Sequence, residues 1–355
     1  MKQVAIVGTQ GVPASYGGFE TLVENIIGDN CPPDIQYTVF CSSKDIPNGK
    51  KRYKGCRLKY IPLHANGIQS IPYDIWSLCK VIQGYDTILV LGTSGCSCLP
   101  IFRLLCRTRL IVNIDGLEHR RAKWGRMACW ILRFSEAMAV RFADVVIADN
   151  KGIQDYVYET YHKKAALIAY GGNHVYRKIS TEIQIQVLMS YGLTSGEYAI
   201  TVCRIEPENN CHMILEAFTH SEKKLIFIGN WKHSPYGLSL KNKYCGYPNI
   251  VLLDAIYDLD ILYSLRANAG IYIHGHSAGG TNPSLVEAMF FGCPIVAYDV
   301  VYNRETTQNK AYYFSNTEML ISIICRSDLE GTAMKRIAEE EYTWQYISRQ
   351  YYSLY

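Results

Sequence analysis

The stretch QVAIVGTQGVPASYGGFETLVENIIGD, residues 3–29, contains the pattern that decides the fold. Its first six residues form an apolar run that ends at Gly8, as in a buried β-strand. The helical pattern that follows places an apolar face between Leu22 and Ile27. A strand, a glycine-rich loop and a helix in this order predict the opening of a parallel βαβ unit.

The same alternation continues along the chain and predicts an α/β fold. Strand-like runs such as DTILVLG and DVVIADN alternate with helical runs, and the pattern restarts after AYGGNHVY. This alternation is typical of doubly wound parallel sheets. We predict two Rossmann-like domains facing a cleft, with ligands at the carboxyl ends of the strands. The predicted limits are 1–168 and 169–338, with 339–355 as a helix folding back on the first domain.

The composition limits the classes to which this protein can belong. The 355 residues include 48% hydrophobic and 19% charged residues, with a net charge of +4, as in ordinary globular proteins. Thirteen cysteines without framework spacing favour reduced thiols. No window approaches the roughly 18 apolar residues of a membrane span, and the first apolar run is too short for a signal peptide. We expect a cytoplasmic protein that meets membranes only at their surface.

The loop before the first helix is a candidate ligand-binding loop. Gly17 and Gly18 open the helix, so backbone amides there can face an anion or a sugar. The loop is neither GxGxxG nor a P-loop, which disfavours a dinucleotide. A tight structural turn explains these glycines equally well.

The stretch GGTNPSLVEAM, residues 279–289, combines a glycine pair with a helix start. Gly279 and Gly280 let a ligand approach the backbone closely. After Thr281, Asn282 is a good N-cap, and a proline occupies the first helical position.

The first turn of this helix predicts a seat for a diphosphate. The amides of Ser284 and Leu285, with the helix dipole, can face phosphate oxygens. Glu287 lies one turn further and suits a ribose hydroxyl. The alternative is a capped helix with an exposed glutamate.

The stretch CRIEPENN follows a predicted strand of the second domain. Arg204 is placed to bind a phosphate in bidentate fashion, and Asn209 opens the next helix. A structural ion pair of Arg204 with Glu206 or Glu208 is an equally good interpretation.

The stretch NIDGLEHRRAKWGRMACWILRF holds two carboxylates and a basic, aromatic segment. Asp115 and Glu118 follow a strand, where they can serve acid–base chemistry or hold an acceptor hydroxyl. The segment after them suits an anionic membrane interface or a lipid diphosphate; its first four such residues are Arg120, Arg121, Lys123 and Trp124. A solvated basic face over a normal core stripe is the alternative.

His274 and His276 share one side of an extended strand. Without a third ligand nearby, substrate contact or packing is favoured over a metal site.

Together these motifs resemble retaining glycosyltransferases of family 4, which have the GT-B fold. GTQGVPASYGGFET, NIDGLEHRRAKW, CRIEPENN and GGTNPSLVEAM are similar to its bacterial rhamnosyltransferase branch, which acts on lipid-linked acceptors. The similarity covers nearly the whole chain. It implies an acceptor-binding first domain and a nucleotide-sugar-binding second domain.

The resemblance also implies roles for individual residues. Gly17 and Gly18 approach the diphosphate or the acceptor, Arg204 holds the diphosphate, Glu287 binds the sugar ring of the nucleotide, and Asp115 lies near the reacting sugar. It implies neither a metal nor a nucleic-acid partner.

The chain departs from the family pattern at two positions. The family usually has two glutamates separated by seven residues, and Gly279 replaces the first. The usual phosphate-binding lysine is replaced at Asn209. An uncharged wall at Gly279 and Gly280 is compatible with a 6-deoxy sugar, so we expect L-rhamnose from dTDP-L-rhamnose.

Two other functions remain compatible with the sequence. A nucleotide-sugar epimerase of the same fold would need no acceptor and leaves the basic aromatic segment unexplained. A non-catalytic sugar- or lipid-binding subunit is compatible with the two replaced residues.

Overall fold

The computed structural model describes residues 1–14, 17–28, 31–46, 49–120 and 125–355. The chain divides into two compact units. The first comprises Met1–Tyr170 together with Trp344–Tyr355, and the second comprises Gly171–Thr343. Each unit is built on one sheet with helices between most successive strands, so the predicted α/β class is confirmed.

The first unit contains an eight-stranded sheet. Its strands are β1 Lys2–Val7, β2 Ile35–Ser42, β3 Arg52–Tyr53, β4 Cys56–Ile61, β5 Thr87–Leu91, β6 Arg109–Asn113, β7 Val145–Ala148 and β8 Ala166–Leu167. The order is β3-β4-β2-β1-β5-β6-β7-β8; β3 pairs antiparallel with β4, and the other neighbours pair in parallel. The first five helices are α1 Gly18–Ile26, α2 Ser70–Lys80, α3 Leu99–Leu105, α4 Arg126–Phe142 and α5 Lys151–Tyr161.

The second unit contains a six-stranded parallel sheet of order β11-β10-β9-β12-β13-β14. Its strands are β9 Tyr198–Val202, β10 Lys224–Ile228, β11 Ile250–Leu253, β12 Ile271–His274, β13 Ile295–Tyr298 and β14 Tyr312–Phe314. Its helices are α6 Thr181–Ser190, α7 Cys211–Thr219, α8 Pro235–Tyr244, α9 Leu259–Ala267, α10 Pro283–Met289, α11 Val301–Thr306, α12 Thr317–Ile324 and α13 Thr332–Glu341.

The buried stretches of the central strands are mostly apolar because helices cover both faces of each sheet. Val4, Ala5, Ile6 and Val7 of β1 are fully buried, as expected for a strand inside a doubly wound sheet. In the second unit, Phe227 of β10 and Ile273 of β12 belong to a core closed by Phe218. Parallel strands bring the loops after their carboxyl ends to one edge of each sheet.

The last helix, α14 Trp344–Ser353, packs on α1 of the first unit. Trp344, Ile347 and Tyr351 are buried in the first unit's core. The predicted helix over 339–355 is wrong at its start, because α13 runs through residue 341 and buries Ile337 within the second unit. The observed limits therefore differ from the predicted 168 and 338 by a few residues.

No helix in the described ranges has both the length and the apolar character needed to cross a bilayer.

Candidate functional site

Asn209 joins two loops at the carboxyl edge of the second sheet. It ends a short 3-10 turn, Pro207–Asn209, after β9. Its side-chain amide donates to the carbonyl of Arg204 at 2.7 Å, and its Oδ1 lies 2.5 Å from Nδ1 of His276. The side chain is buried. The polar atoms of the Asn209 side chain thus hold the Arg204 and His276 loops together, and a role of Asn209 in binding the donor stays a prediction.

This bridge also shows which ring nitrogen of His276 donates. Because Oδ1 of Asn209 can only accept, Nδ1 of His276 carries a proton and donates to it, and Nε2 stays outside this bond. Gly279 lies beside that nitrogen: a Cβ at this position would be 3.2 Å from Nε2. Gly279 has a φ of +106°, which L-residues rarely adopt. The glycine therefore keeps both a special backbone shape and a space beside the ring.

Asn282 caps α10 as the sequence predicts. Oδ1 of Asn282 accepts from the amide of Ser284 at 3.0 Å and from the hydroxyl Oγ of Ser284 at 2.8 Å. The amide of Leu285 donates to the carbonyl of Asn282 at 3.1 Å. Because the cap engages both amides, the prediction that they are free to seat a diphosphate needs correction. In the described part of the chain, no hydrogen bond engages the amides of Gly279 and Gly280.

Thr281, between the glycine pair and the cap, is buried. Gly280 is buried as well and Gly279 is half-buried, so the amide of Gly279 is the backbone donor of this loop that is better placed to meet a ligand.

Glu287 forms ion pairs within the second unit. Its Oε2 lies 2.8 Å from Nη1 of Arg266 in α9, and its Oε1 lies 3.3 Å from Nε2 of His174. Burial alone raises the pKa of the Glu287 carboxyl, but the charge of buried Arg266 and the contact with His174 lower it to about 2. The alternative of an exposed, unengaged glutamate is wrong. A contact with ribose remains a prediction.

Arg204 is an accessible cation in the loop after β9. Its side chain is 42% exposed, and Nη1 lies 3.8 Å from Oε1 of Glu206. An exposed pair at this separation contributes little stability. The guanidinium is therefore available to a ligand.

His274 ends β12 and is buried. Among the described residues its Nε2 has no hydrogen-bond partner, and burial lowers its pKa to about 3, which keeps the ring neutral. The rings of Tyr272 and His276 lie 6.1 and 6.0 Å away. In the described ranges, no group of three or more His, Cys, Asp or Glu side chains is arranged to hold a metal ion.

In the first unit, Glu20 organises the loop after β1. Its Oε1 accepts from Oγ1 of Thr9 at 2.9 Å and from the amide of Gln10 at 2.8 Å. Gly17, with φ of +125°, precedes α1, and a Cβ there would overlap Oε2 of Glu20. Gly18 is the first residue of α1. Gly17 therefore makes room for the buried carboxylate of Glu20 in the helix that it precedes.

Burial raises the pKa of Glu20, and the negative charge of Asp115 acts in the same direction. Asp115 follows β6 with a φ of +56°, and its amide donates to Oδ1 of Asn113 at 3.0 Å. Glu118 begins a 3-10 turn, Glu118–Arg120, and is half-buried. The loop after β6 thus sets Asp115 near Glu20, with Glu118 three residues further on.

The four residues predicted to contact the acceptor or the membrane are Arg120, Arg121, Lys123 and Trp124. Arg121, Lys123 and Trp124 lie outside the described residues, and of Arg120 only the backbone is described. Their predicted roles stay predictions.

Sequence reasoning missed four side chains of these sites. Arg266 is an ordinary helix residue by pattern, and His174 lies between the two predicted halves. Tyr351, whose hydroxyl accepts from Nδ2 of Asn113, lies in the last helix. Glu20 belongs to the quoted GGFET motif, and its position in the first helical turn was the available signal. The contacts of the other three depend on the tertiary fold.

Two families match successive parts of the chain. A domain of unknown function, DUF1972, matches residues 1–173. The family described as Glycosyl transferases group 1 matches residues 192–319, which include Arg204, Arg266 and Glu287. No protein with a curated description matches the chain in sequence.

Solved structures resemble the whole chain at low sequence identity. A sucrose-phosphate synthase from Thermosynechococcus elongatus is 15% identical, with a TM-score of 0.83, and the match covers 100% of this chain and 98% of that one. Anabaena HepE, solved in complex with UDP, is 16% identical with a TM-score of 0.74, covering 99% of each chain. A trehalose-phosphate synthase from Burkholderia xenovorans is 11% identical with a TM-score of 0.72, again covering 99% of each chain.

These likenesses confirm the predicted GT-B fold. The group 1 match supports glycosyltransferase activity. Residues 192–319 of the second unit thus match the glycosyltransferase group 1 family, in a chain whose fold is GT-B.

Proposed function

We propose that this protein is a retaining glycosyltransferase whose second unit binds a nucleotide sugar. The observation that carries the proposal is the clustering of Arg204, His276 and Gly279 within the segment that matches the group 1 family. Arg204 supplies an accessible guanidinium for the diphosphate, and the amides of Gly279 and Gly280 add neutral donors. Together they stabilise the charge that develops on the leaving diphosphate, so no metal is required.

The proposed donor is a nucleotide-linked deoxysugar, dTDP-L-rhamnose. Anabaena HepE was solved with UDP-glucose, and the wall at Gly279 supports a different sugar here. Without a side chain at Gly279, the proposed wall beside the sugar is formed by the ring of His276 and carries no carboxylate. A sugar that lacks one hydroxyl makes fewer demands on such a wall than one that needs a carboxylate there.

The proposed acceptor is a sugar on a polyprenyl diphosphate at the cytoplasmic face of a membrane. Asp115 and Glu118 follow β6 in the first unit, where carboxylates can orient an acceptor hydroxyl and take up its proton. Asp115 is the candidate of choice because the Asn113 hydrogen bond fixes its backbone. Residues 120–124 are proposed to contact the lipid diphosphate.

One assay tests this function. The protein is incubated with dTDP-L-rhamnose, dTDP-glucose, UDP-glucose or UDP-N-acetylglucosamine, each with and without lipid-linked glucose or N-acetylglucosamine. Acceptor-dependent transfer of rhamnose is the expected result. An isomerised donor without acceptor would indicate an epimerase instead, and donor binding without turnover a non-catalytic subunit. Transfer from UDP-glucose alone would overturn the proposed donor but not the class of enzyme.

A further inference from the structure

The outer faces of α3 and α4 expose large apolar side chains. Leu104 is 84% exposed, Met127 is 79% exposed and Trp130 is 69% exposed. The other large apolar side chains exposed on these helices are Ile101, Leu105, Ile131 and Phe134. The rings of Trp130 and Phe134 stack with centroids 6.0 Å apart. Single exposed apolar residues are ordinary, whereas two neighbouring helices that each expose several require an explanation.

Topology places both helices in one layer. The connection β5–α3–β6 and the connection β6–α4–β7 step in the same direction across the sheet. Since such crossovers are right-handed, successive steps in one direction put their helices on the same face. The two helices also pack against each other: Nε of Arg103 in α3 donates to the carbonyl of Phe142 at the end of α4, at 2.9 Å.

The charge on this layer is positive. Arg126, Arg133 and Arg141 of α4 are exposed. The acidic residue of the two helices, Glu136, is buried and accepts from the hydroxyls of Tyr156 and Tyr161, each at 2.8 Å. Exposed apolar side chains are therefore accompanied by arginines and by no exposed carboxylate on α3 or α4.

We propose that the α3–α4 layer docks onto an anionic lipid bilayer, with the apolar side chains in the interface and the arginines at the headgroups. This inference rests on the proposed function, which requires access to a lipid-linked acceptor. Trp, Phe, Met and Leu flanked by Arg are the composition of interfacial helices, and arginines attract anionic headgroups. A protein partner would need an apolar surface bordered by acidic side chains, whereas an anionic bilayer supplies both the apolar interior and the negative headgroups.

The docked layer is linked to the loop after β6. Glu136 of α4 lies 3.0 Å from Nδ1 of His119, which belongs to the same loop as Asp115. Seating α4 on the membrane therefore holds the acceptor-side loop close to the lipid surface.

Vesicle flotation with the full chain tests the proposal. The variants are Leu104→Glu/Trp130→Glu for the apolar side chains and Arg126→Glu/Arg133→Glu for the charge. Met189→Glu, at an exposed position of α6 in the second unit, is the matched control. We expect the wild type and Met189→Glu to bind vesicles with 30% phosphatidylglycerol, and both double variants to lose binding by about tenfold or more. Circular dichroism and the melting temperature verify that each variant folds.

Three outcomes would contradict the proposed docking of the α3–α4 layer onto a bilayer. The wild type could fail to float with anionic vesicles, or Leu104→Glu/Trp130→Glu could bind as the wild type does. Light scattering could also show a wild-type dimer that this double variant splits, in which case a second copy covers the layer. Transfer to a water-soluble acceptor analogue without vesicles is measured in parallel. If the wild type did not catalyse this transfer, the proposed function would be rejected. The flotation result would still show whether the α3–α4 layer binds the bilayer.

Discussion

The hydroxyl of Tyr351 accepts a hydrogen bond from Nδ2 of Asn113 at 2.9 Å, across 238 residues of sequence. The same Asn113 side chain accepts from the amide of Asp115 through its Oδ1. The last helix of the chain thus fixes the loop that carries the candidate acceptor-side carboxylate. We therefore expect Tyr351 to position Asp115 as well as to stabilise the fold.

Tyr351→Phe should lower the transfer rate as well as stability. The substitution leaves Nδ2 of the buried Asn113 without its acceptor, which costs about 1–3 kcal/mol. The side-chain amide of Asn113 can then rotate, and it no longer holds the backbone of Asp115 in place. The matched control is Tyr352→Phe, because Tyr352 donates to the carbonyl of Ile26 at 2.8 Å from the same helix. We expect both variants to lower the melting temperature and only Tyr351→Phe to lower kcat; equal kcat in the two variants would contradict the positioning role.

Glu287→Gln should destabilise the protein by about 3–5 kcal/mol, because it leaves the buried Arg266 charge uncompensated. The folded pKa of Glu287, about 2, is below the unfolded value of about 4.3. The ionised carboxylate therefore stabilises the fold above the unfolded pKa, and this stability is lost as the pH falls from about 5 to about 2. Denaturant unfolding at several pH values should show a steeper loss in the wild type than in Glu287→Gln.

The ribose contact of Glu287 is tested in a second background. Arg266→Met with Glu287→Gln removes both members of the pair and should recover part of the lost stability. If Glu287 also binds ribose, donor binding stays weak in the stabilised double variant. Recovery of wild-type donor affinity would reduce Glu287 to a structural residue.

Arg204→Gln should raise the Kd for dTDP by about tenfold or more, because a hydrogen bond to a charged phosphate contributes about 1.5–3 kcal/mol. Its free energy of unfolding should change by less than about 0.5 kcal/mol, since the pair with Glu206 is exposed. Glu206→Gln is the control, and its Kd should stay near the wild-type value. Calorimetric titration gives both constants; a similar loss of affinity in the two variants would favour the ion-pair interpretation.

Gly279→Glu should change donor preference, because it places a carboxylate beside Nε2 of His276. The φ of +106° makes any side chain costly here, by about 1–2 kcal/mol, so Gly279→Ala is the required control. We expect Gly279→Ala to lower the rate with all donors alike. Gly279→Glu should lower it further for the deoxysugar than for glucose. An unchanged preference and rate in Gly279→Glu would refute the role of Gly279 in sugar choice.

Glu20→Gln should stabilise the protein at neutral pH. The folded pKa of Glu20 is raised, so the folded state binds the proton more tightly and the charged form is disfavoured as the pH rises above the unfolded value of about 4.3. Glutamine keeps an oxygen for Thr9 and Gln10 without the charge. Melting temperatures of the wild type should rise relative to those of Glu20→Gln as the pH falls from neutral toward the unfolded pKa of about 4.3; parallel curves would contradict the raised pKa.

Much of the fold was predictable because its signals are local. The apolar run of β1, the glycines before α1 and the Asn282 cap each depend on residues a few positions apart. Local reasoning failed where distant groups compete for the same atoms. Asn209 is occupied because His276 folds onto it from 67 residues away, and no local pattern indicates that contact.

By itself, the sequence determined the two α/β halves, the cap of α10, and the positions of Arg204 and Asp115 after strands, since strand and helix periods follow from neighbouring residues. Only the tertiary structure decided what those residues meet. Packing brought Arg266 and His174 to Glu287 and laid Tyr351 against Asn113. It also left Leu104 and Trp130 uncovered on one layer, because burial depends on which surfaces the folded chain brings together and not on the order of its residues.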